Sequence, residues 1–441
     1  MFTNKQLKNL IIPLILEQIL VMSVGMIDTV MVSYVGEAAI SGVALVDMID
    51  YLVITILTAA ATGGAVIVSQ YLGSKNDEKA NLSASQLVML SFLISIGIMI
   101  IGLLFRDTIL SLLFGQVAKD VKIAANTYFF ITTLSFPFIG VYNAGAALFR
   151  SMRKTNVTMW ISLVINLINI MGNALGVFVF HVGVFGVAFS TLVARFVSAF
   201  VIIVLSFRQG QQVHISLKKI LSLNYDIIRK ILTIAIPSGI ENGLFALGKV
   251  LVVSIIALFG TTQIAANGVA NSIDQVAVFV ANAINLAMIT VVGQCMGAKE
   301  IEQAEYYTKK LMKISYVLTG LLSLVVCLLL PLILQLYELS DETYRLTCIL
   351  VITHNIMAFL LHPTSFNLAN SLRACGDVKF TMYVGIASMI VCRLGVAIIL
   401  GIYFNFDIYG VWIAMGMDWL ARSILFMIRY RTRKWQSIQT I

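Results

Sequence analysis

The sequence predicts an all-α polytopic membrane protein, twelve transmembrane helices in two six-helix bundles related by a pseudo-twofold axis along the membrane normal. Three observations predict it. Of 441 residues, 59% are hydrophobic and only 12% charged, against roughly 25% charged residues in soluble domains. Apolar runs long enough to cross a bilayer, which takes about 20 residues, recur along the whole chain. The second half repeats the first at an offset of 224 residues. With a mean hydropathy of +0.95, too few polar residues remain to coat soluble domains, so the bilayer is the expected solvent.

The runs fall at 10–34, 42–71, 86–113, 122–148, 156–180 and 184–207, then at 231–259, 263–296, 308–336, 343–370, 379–404 and 407–428. The first shows no small-residue cleavage site and continues to Tyr34, so it is expected to remain as a helix. Three regions follow: a bundle over 1–207, a basic polar linker over 208–230, and a second bundle with a basic tail over 231–441. Of the 30 Lys and Arg residues, 22 lie on the side that holds both termini and four on the other. The positive-inside rule then predicts cytoplasmic termini and a multi-pass plasma-membrane protein.

The net charge of +9 does not form a basic stripe interleaved with aromatics, which argues against nucleic acid as a partner. Cys295, Cys327, Cys348, Cys375 and Cys392 show no paired spacing and read as reduced packing residues. With no Walker A loop, ATP is not the direct energy source.

The repeat fixes the architecture. Pro13 and Glu17 match Pro237 and Glu241, Gly36 matches Gly260, and Gln70, Gly73 and Lys75 match Gln294, Gly297 and Lys299. With one residue of slippage Phe149-Arg150 matches Leu372-Arg373, and Gly186-Val187 returns to register with Gly410-Val411. Six spans per copy give both copies the same orientation. Two such bundles are expected to enclose a central cleft that rocking would open to one side at a time. That is a transporter's design, and no carbonyl filter of a channel is present.

The segments PLILEQILVMSVGMIDTVMVSYVGEAAISGVAL, SQYLGSKN, ALFRSMRKTN, NLINIMGNALGVF, GVFGVAFSTLVAR, IPSGIENGLFALGKV, VGQCMGAKE and NSLRACGDVKFT resemble the multidrug and toxic compound extrusion (MATE) family, bacterial type, over nearly the whole chain. The resemblance implies a cation-coupled secondary antiporter, not an enzyme, that exports amphipathic organic cations or drugs by alternating access, with H⁺ or Na⁺ as coupling ion and no cofactor. A monomer in the lipid bilayer is the expected working form.

Intramembrane carboxylates cost several kcal/mol, so each marks pairing or function. The repeat sorts them. Glu17 matches Glu241, Asp50 matches Asp274 and Asp47 faces Asn271, whereas Asp28 has Val252 opposite and breaks the symmetry. The resemblance places Asp28 with Asn169, Asn173 and Thr191 in a first-half ion site, a set that would suit Na⁺ or a proton. Their counterparts Cys392, Val396 and Met415 cannot rebuild it. Glu17, eleven residues from Asp28 and on nearly the same helical face, is a further coupling candidate; the alternative is a polar knot fixing helix packing.

Asn267, Asn271, Asp274, Asn282 and Asn285 share a broad face of span 8 and are expected to line the cleft or to hydrogen-bond neighbouring helices. Asp47, Asp50, Asn267, Asn271, Asp274, Glu241 and His362 form the candidate substrate cleft. The resemblance would lead one to expect an Asp eleven residues before Arg373, where His362 stands, which departs from the sodium-coupled pattern in the second half. Lys249 is expected to pair with a carboxylate on another helix. Two other readings stay open: a flippase or exporter of lipid-linked or peptide-like metabolites, favoured by a basic cleft, and a membrane-embedded prenyltransferase, for which Asp47-x-x-Asp50 is the sole motif.

Overall fold

A computed structural model describes residues 1–114, 118–337, 339–438 and 440–441. Among these residues the chain is helical and contains no strand. Eleven helices are long and apolar enough to cross a bilayer, and a helix pair bent by 46° supplies a twelfth. In the first half these are α1 Asn4–Ser33, α2 Glu37–Gly73, α3 Asp77–Leu104, the bent α4 Lys119–Leu134 plus Phe136–Ser151, α5 Thr155–Val179 and α6 Val184–Ser206. The second half contributes α7 Tyr225–Ala257, α8 Thr261–Gly297, α9 Ile301–Leu334, α10 Asp341–Ala374, α11 Val378–Tyr403 and α12 Asp407–Arg431. Span 4 is broken at Ser135 because Pro137, in the first turn of the segment that follows, offers no N–H to the preceding helix.

The helix ends follow local chemistry. Thr3 and Gln6 form a reciprocal capping box that starts α1, and Asn76 caps α3 by accepting from Lys79 N at 3.0 Å. The repeat reaches the backbone: Gly36 and Gly260 enter α2 and α8 with φ of +131° and +105°, and Lys75 and Lys299 leave them at +56° and +60°.

The chain forms two compact units, Phe2–Gly239 with Ile441, and Ile240–Thr440 with Met1. The stretch 208–230, expected as a linker, is built into the first unit. Its backbone N–H groups at His214 and Asn224 donate to Asn81 Oδ1 (2.9 Å) and Gln86 Oε1 (3.1 Å) of α3. Gln86 Nε2 donates back to the carbonyls of Lys219 and Ser222 at 2.6 and 2.7 Å. In the second unit, the chain beyond α12 turns at Arg433 (φ +56°). Trp435, 1% exposed, then stacks on Tyr430 at 5.4 Å, and Gln436 Nε2 reaches Glu305 of α9 at 3.0 Å.

Small residues allow close helix approach where side chains would keep backbones apart. A Cβ on Gly176 of α5 would lie 2.7 Å from Gly186 Cα of α6, and one on Gly410 of α12 would lie 2.6 Å from Gly401 N of α11. The two contacts recur at the same place in both copies. Gly186→Val and Gly410→Val are each expected to destabilise the fold by about 1–3 kcal/mol through overpacking. Thermal unfolding in detergent checks this, and an unchanged transition would show that the backbones have room to separate.

Candidate functional site

The site in the first unit is built on one face of α5. Thr155, Thr158, Ser162, Asn166, Asn169 and Asn173 follow one another at intervals of three or four residues, the spacing that aligns side chains on a helix. This ladder lies along α1. Thr155 Oγ1 donates to Leu10 O at 3.0 Å, Thr158 Oγ1 to Glu17 Oε2 at 2.6 Å and Asn166 Nδ2 to Leu20 O at 2.9 Å. Its last rung reaches Asp28, where Asn173 Nδ2 donates to Asp28 Oδ1 at 2.6 Å. The partners advance together along both chains, so α1 and α5 run parallel, as the first and fifth of six alternating spans must.

Around that rung the four residues expected to act together do meet. Asn173 Nδ2 also donates to Asn169 Oδ1 at 3.2 Å, and Asn169 Nδ2 donates to Thr191 Oγ1 of α6 at 3.1 Å. Asn169 and Asn173 are buried, and Asp28 and Thr191 are half-buried. Ser190, which the sequence did not single out, donates through Oγ to Asn173 Oδ1. Its place one residue before Thr191 was the available signal. The wide π-helical turn Leu175–Val179 starts two residues after Asn173, and such turns are frequent at functional sites.

A second acidic group surrounds Arg195 of α6. Arg195 Nη1 lies 3.6 Å from Asp50 Oδ2 and donates to Ser135 Oγ, at the bend of α4, at 2.7 Å. Thr132 Oγ1 donates to Asp50 Oδ1 at 3.5 Å. Asp50 is buried and Asp47 exposed. The Arg195 charge also acts at longer range on Asp28 and Asp47, though its ion pair is with Asp50. In the sequence Arg195 stands out only as a cation inside the apolar run 184–207.

Glu17 does not join this group. It is about 16 Å of helical rise from Asp28, buried against Thr158 and paired with Arg150 Nη1 at 3.7 Å. Its counterpart Glu241 pairs with Arg373 Nη2 at 2.6 Å, and Arg150 and Arg373 are themselves counterparts. A pair made twice by the repeat is a device shared by both copies.

On the α8 stripe, three side chains take the hydrogen-bonding alternative. Asn267 accepts from Trp412 Nε1 at 3.2 Å, and Asp274 lies 3.2 Å from His354 Nδ1 and accepts from Asn355 Nδ2 at 3.1 Å. Asn285 accepts from Asn367 Nδ2 at 2.7 Å. These side chains face the interior of their own bundle because α10 and α12 present polar partners there. Asn271 and Asn282 remain exposed. His362 is buried too, stacked on Phe366 with centroids 4.5 Å apart and edge-on to Trp419 at 5.3 Å.

The second unit has its own charge network, which the sequence did not reveal. Arg422 Nε donates to Asp418 Oδ1 at 2.9 Å, and its Nη1 lies 3.8 Å from Glu241 Oε1. Arg393 Nη1 lies 3.5 Å from Asp418 Oδ2. The Lys249 Nζ has the Phe245 ring beneath it at 5.3 Å, and Arg393 and Arg422 stand over the same ring at 5.5 and 5.1 Å. Gly385 lets Glu241 in, since a Cβ there would lie 2.6 Å from Glu241 Oε1.

Comparison with known proteins fits this two-copy construction. The MatE family model matches residues 13–175 and again 237–399, two segments separated by the repeat offset. The uncharacterized transporter YisQ of Bacillus subtilis is 29% identical over 96% of this chain and 93% of its own length. The probable multidrug resistance protein NorM of Thermotoga maritima is 24% identical over 98% and 93%. Among solved structures, an outward-facing multidrug resistance MATE transporter covers 97% of this chain and 95% of its own with a TM-score of 0.90 at 20% identity. A transporter from Pyrococcus furiosus, described as having a binding pocket of reverse polarity, covers 98% and 97% with a TM-score of 0.90 at 20% identity. On the double family match and the twelve-helix fold, the chain belongs to the MatE family, the multidrug and toxic compound extrusion transporters.

Proposed function

We propose that this transporter is a secondary antiporter that exports amphipathic organic cations or drugs in exchange for inward Na⁺ or H⁺, with Asp28, Asn169, Asn173 and Thr191 as the coupling-ion site. The observation that carries the reading is the continuous chain from Asp28 through Asn173 and Asn169 to Thr191, made in one copy only. A carboxylate among amide and hydroxyl oxygens is a donor set for a hard monovalent cation, and the same carboxylate can take a proton instead. One arginine among Asp28, Asp47 and Asp50 leaves negative charge in a poor dielectric, which a bound cation offsets. Asp47 and Asp50 would draw a cationic substrate. The names of the NorM and YoeA relatives, probable multidrug resistance proteins, support drug-like cargo. Proteoliposomes with an imposed Na⁺ or pH gradient test the coupling: dye export should follow one of them, and export indifferent to both would end the proposal.

The proposed site is the plasma membrane with both termini cytoplasmic, and one chain is the proposed working unit. Tags at Lys5 and Ile441 should be protected from reagents applied outside intact cells, whereas a tag between Gly183 and Val184 should be labelled. Labelling of the C-terminal tag would overturn the six-plus-six orientation.

The export of lipid-linked or peptide-like metabolites with acidic groups is the second reading. It is favoured by the cationic cluster of Arg373, Arg393, Arg422 and Lys249 facing Glu241 and Asp418 in the second bundle, and by the reverse polarity named for the Pyrococcus furiosus transporter. Uptake of an organic anion in the same proteoliposomes, unaffected by cationic dye, would select it.

A further inference from the structure

We infer that the groove between α9 and α12 is a binding site for an acidic phospholipid, its headgroup held by Lys309, Lys313, Arg431 and Arg433 and its chains running past Met312 toward Val317. A cavity of about 680 Å³ opens there, within the second unit. Its two walls change character together. Lys309 and Lys313 stand one turn apart near the start of α9, and Arg431 and Arg433 stand at the end of α12. Met312 and Leu368 lie beside the lysines. From Lys309 to Val317 the helix rises about 12 Å, and at that depth Val317, Tyr316 and Thr364 replace the charges. Charged at the mouth and uncharged within, the groove matches an amphiphile lying in the leaflet.

The sign of the charge selects the headgroup. Glu305 is the one carboxylate among the lining residues, and Arg433 Nε at 3.3 Å, Lys309 Nζ at 4.0 Å and Gln436 Nε2 at 3.0 Å already engage it. Four cations against that one acid disfavour a cationic drug and favour a phosphate, and basic pockets between helices on the cytoplasmic side take acidic lipid headgroups by this means. The site is also specific to the second copy. Positions 224 residues before the four cations carry Ser85, Met89, Phe207 and Gln209, none of them charged. The mouth is rigidly built, because Trp435, packed on Tyr430, fixes the turn that presents Arg433. The choice of leaflet rests on the orientation proposed above; the preference for acidic lipid does not.

Native mass spectrometry of the full-length protein with phosphatidylglycerol or phosphatidylcholine of identical chains tests the inference. Phosphatidylglycerol should be retained in preference, and Lys309→Gln with Lys313→Gln should weaken it about thirtyfold, the value expected for two surface cations lost. Lys309→Arg with Lys313→Arg should keep it. If the Gln variant fails to fold, Arg431→Gln with Arg433→Gln on the opposite wall must give the same loss. Val317→Trp should expel the lipid by filling the uncharged part, and soluble glycerophosphate should not compete in the wild type. Equal retention of the two lipids, full retention by a folded Gln variant, or displacement by glycerophosphate alone would overturn the inference.

Discussion

Asp28→Asn is expected to abolish coupled export while leaving a folded protein in the membrane. The substitution keeps the volume and the hydrogen bond with Asn173 but removes the charge that the proposed coupling ion, Na⁺ or H⁺, would neutralise. No second carboxylate replaces it, because Val252 stands at the matching place in the other copy. The fall should approach the background of empty vesicles, since an inward cation is also driven by the membrane potential, at about 2.3 kcal/mol per charge per 100 mV, and that drive is lost with the site. Equilibrium binding of a cationic dye gives an independent reading. In the wild type the ion should weaken dye binding and the dye should weaken ion binding by the same factor, and in Asp28→Asn this competition should disappear. If competition survives in Asp28→Asn and disappears in Glu241→Gln, the ion binds in the second bundle instead.

Glu241→Gln is expected to act on stability, lowering it by about 3–5 kcal/mol, the usual result of removing one partner from a buried ion pair. Glu241 holds Arg373 at 2.6 Å and lies 3.8 Å from Arg422, with 5% exposure. Without it two guanidinium groups keep Asp418 as the acid of the network, and one carboxylate cannot serve Arg373, Arg393 and Arg422 together. Thermal unfolding of the purified variant should show a large drop. Glu17→Gln should cost less, because Arg150 is farther away at 3.7 Å and Thr158 can still bond the amide. Equal, small effects at both positions would remove the structural role assigned to the repeated pair.

The sequence carried the twelve spans and their duplication because lipid enforces a simple code: an apolar run must span, and a repeat of even span number must keep its orientation. It carried the meeting of Asp28, Asn169, Asn173 and Thr191 through the resemblance, and the α5 ladder shows the physical reason, a polar face set by three- and four-residue steps. It did not carry the direction of the α8 asparagines. Periodicity puts Asn267, Asn271, Asp274 and Asn285 on a broad face, but which of them turn inward depends on Trp412, His354, Asn355 and Asn367, far away in sequence. Arg195 was visible as an intramembrane cation, but its place beside Asp50 depends on how α2, α4 and α6 pack.

The stretch after α6 that closes on Asn81 of α3 has a bearing on how such a chain arose. Asn81 and Glu305 are separated by the same 224 residues as the two copies, and each receives the segment that leaves the sixth helix of its own copy: His214 N bonds Asn81, and Arg433 and Gln436 bond Glu305. What joins the halves is therefore the first copy's own closing tail, prolonged into the next helix. A half-length ancestor would already have possessed it, and gene fusion needed to add no spacer. The two tails share the anchor point but differ in its chemistry, a neutral amide in the first copy and a carboxylate met by Arg433 and Gln436 in the second.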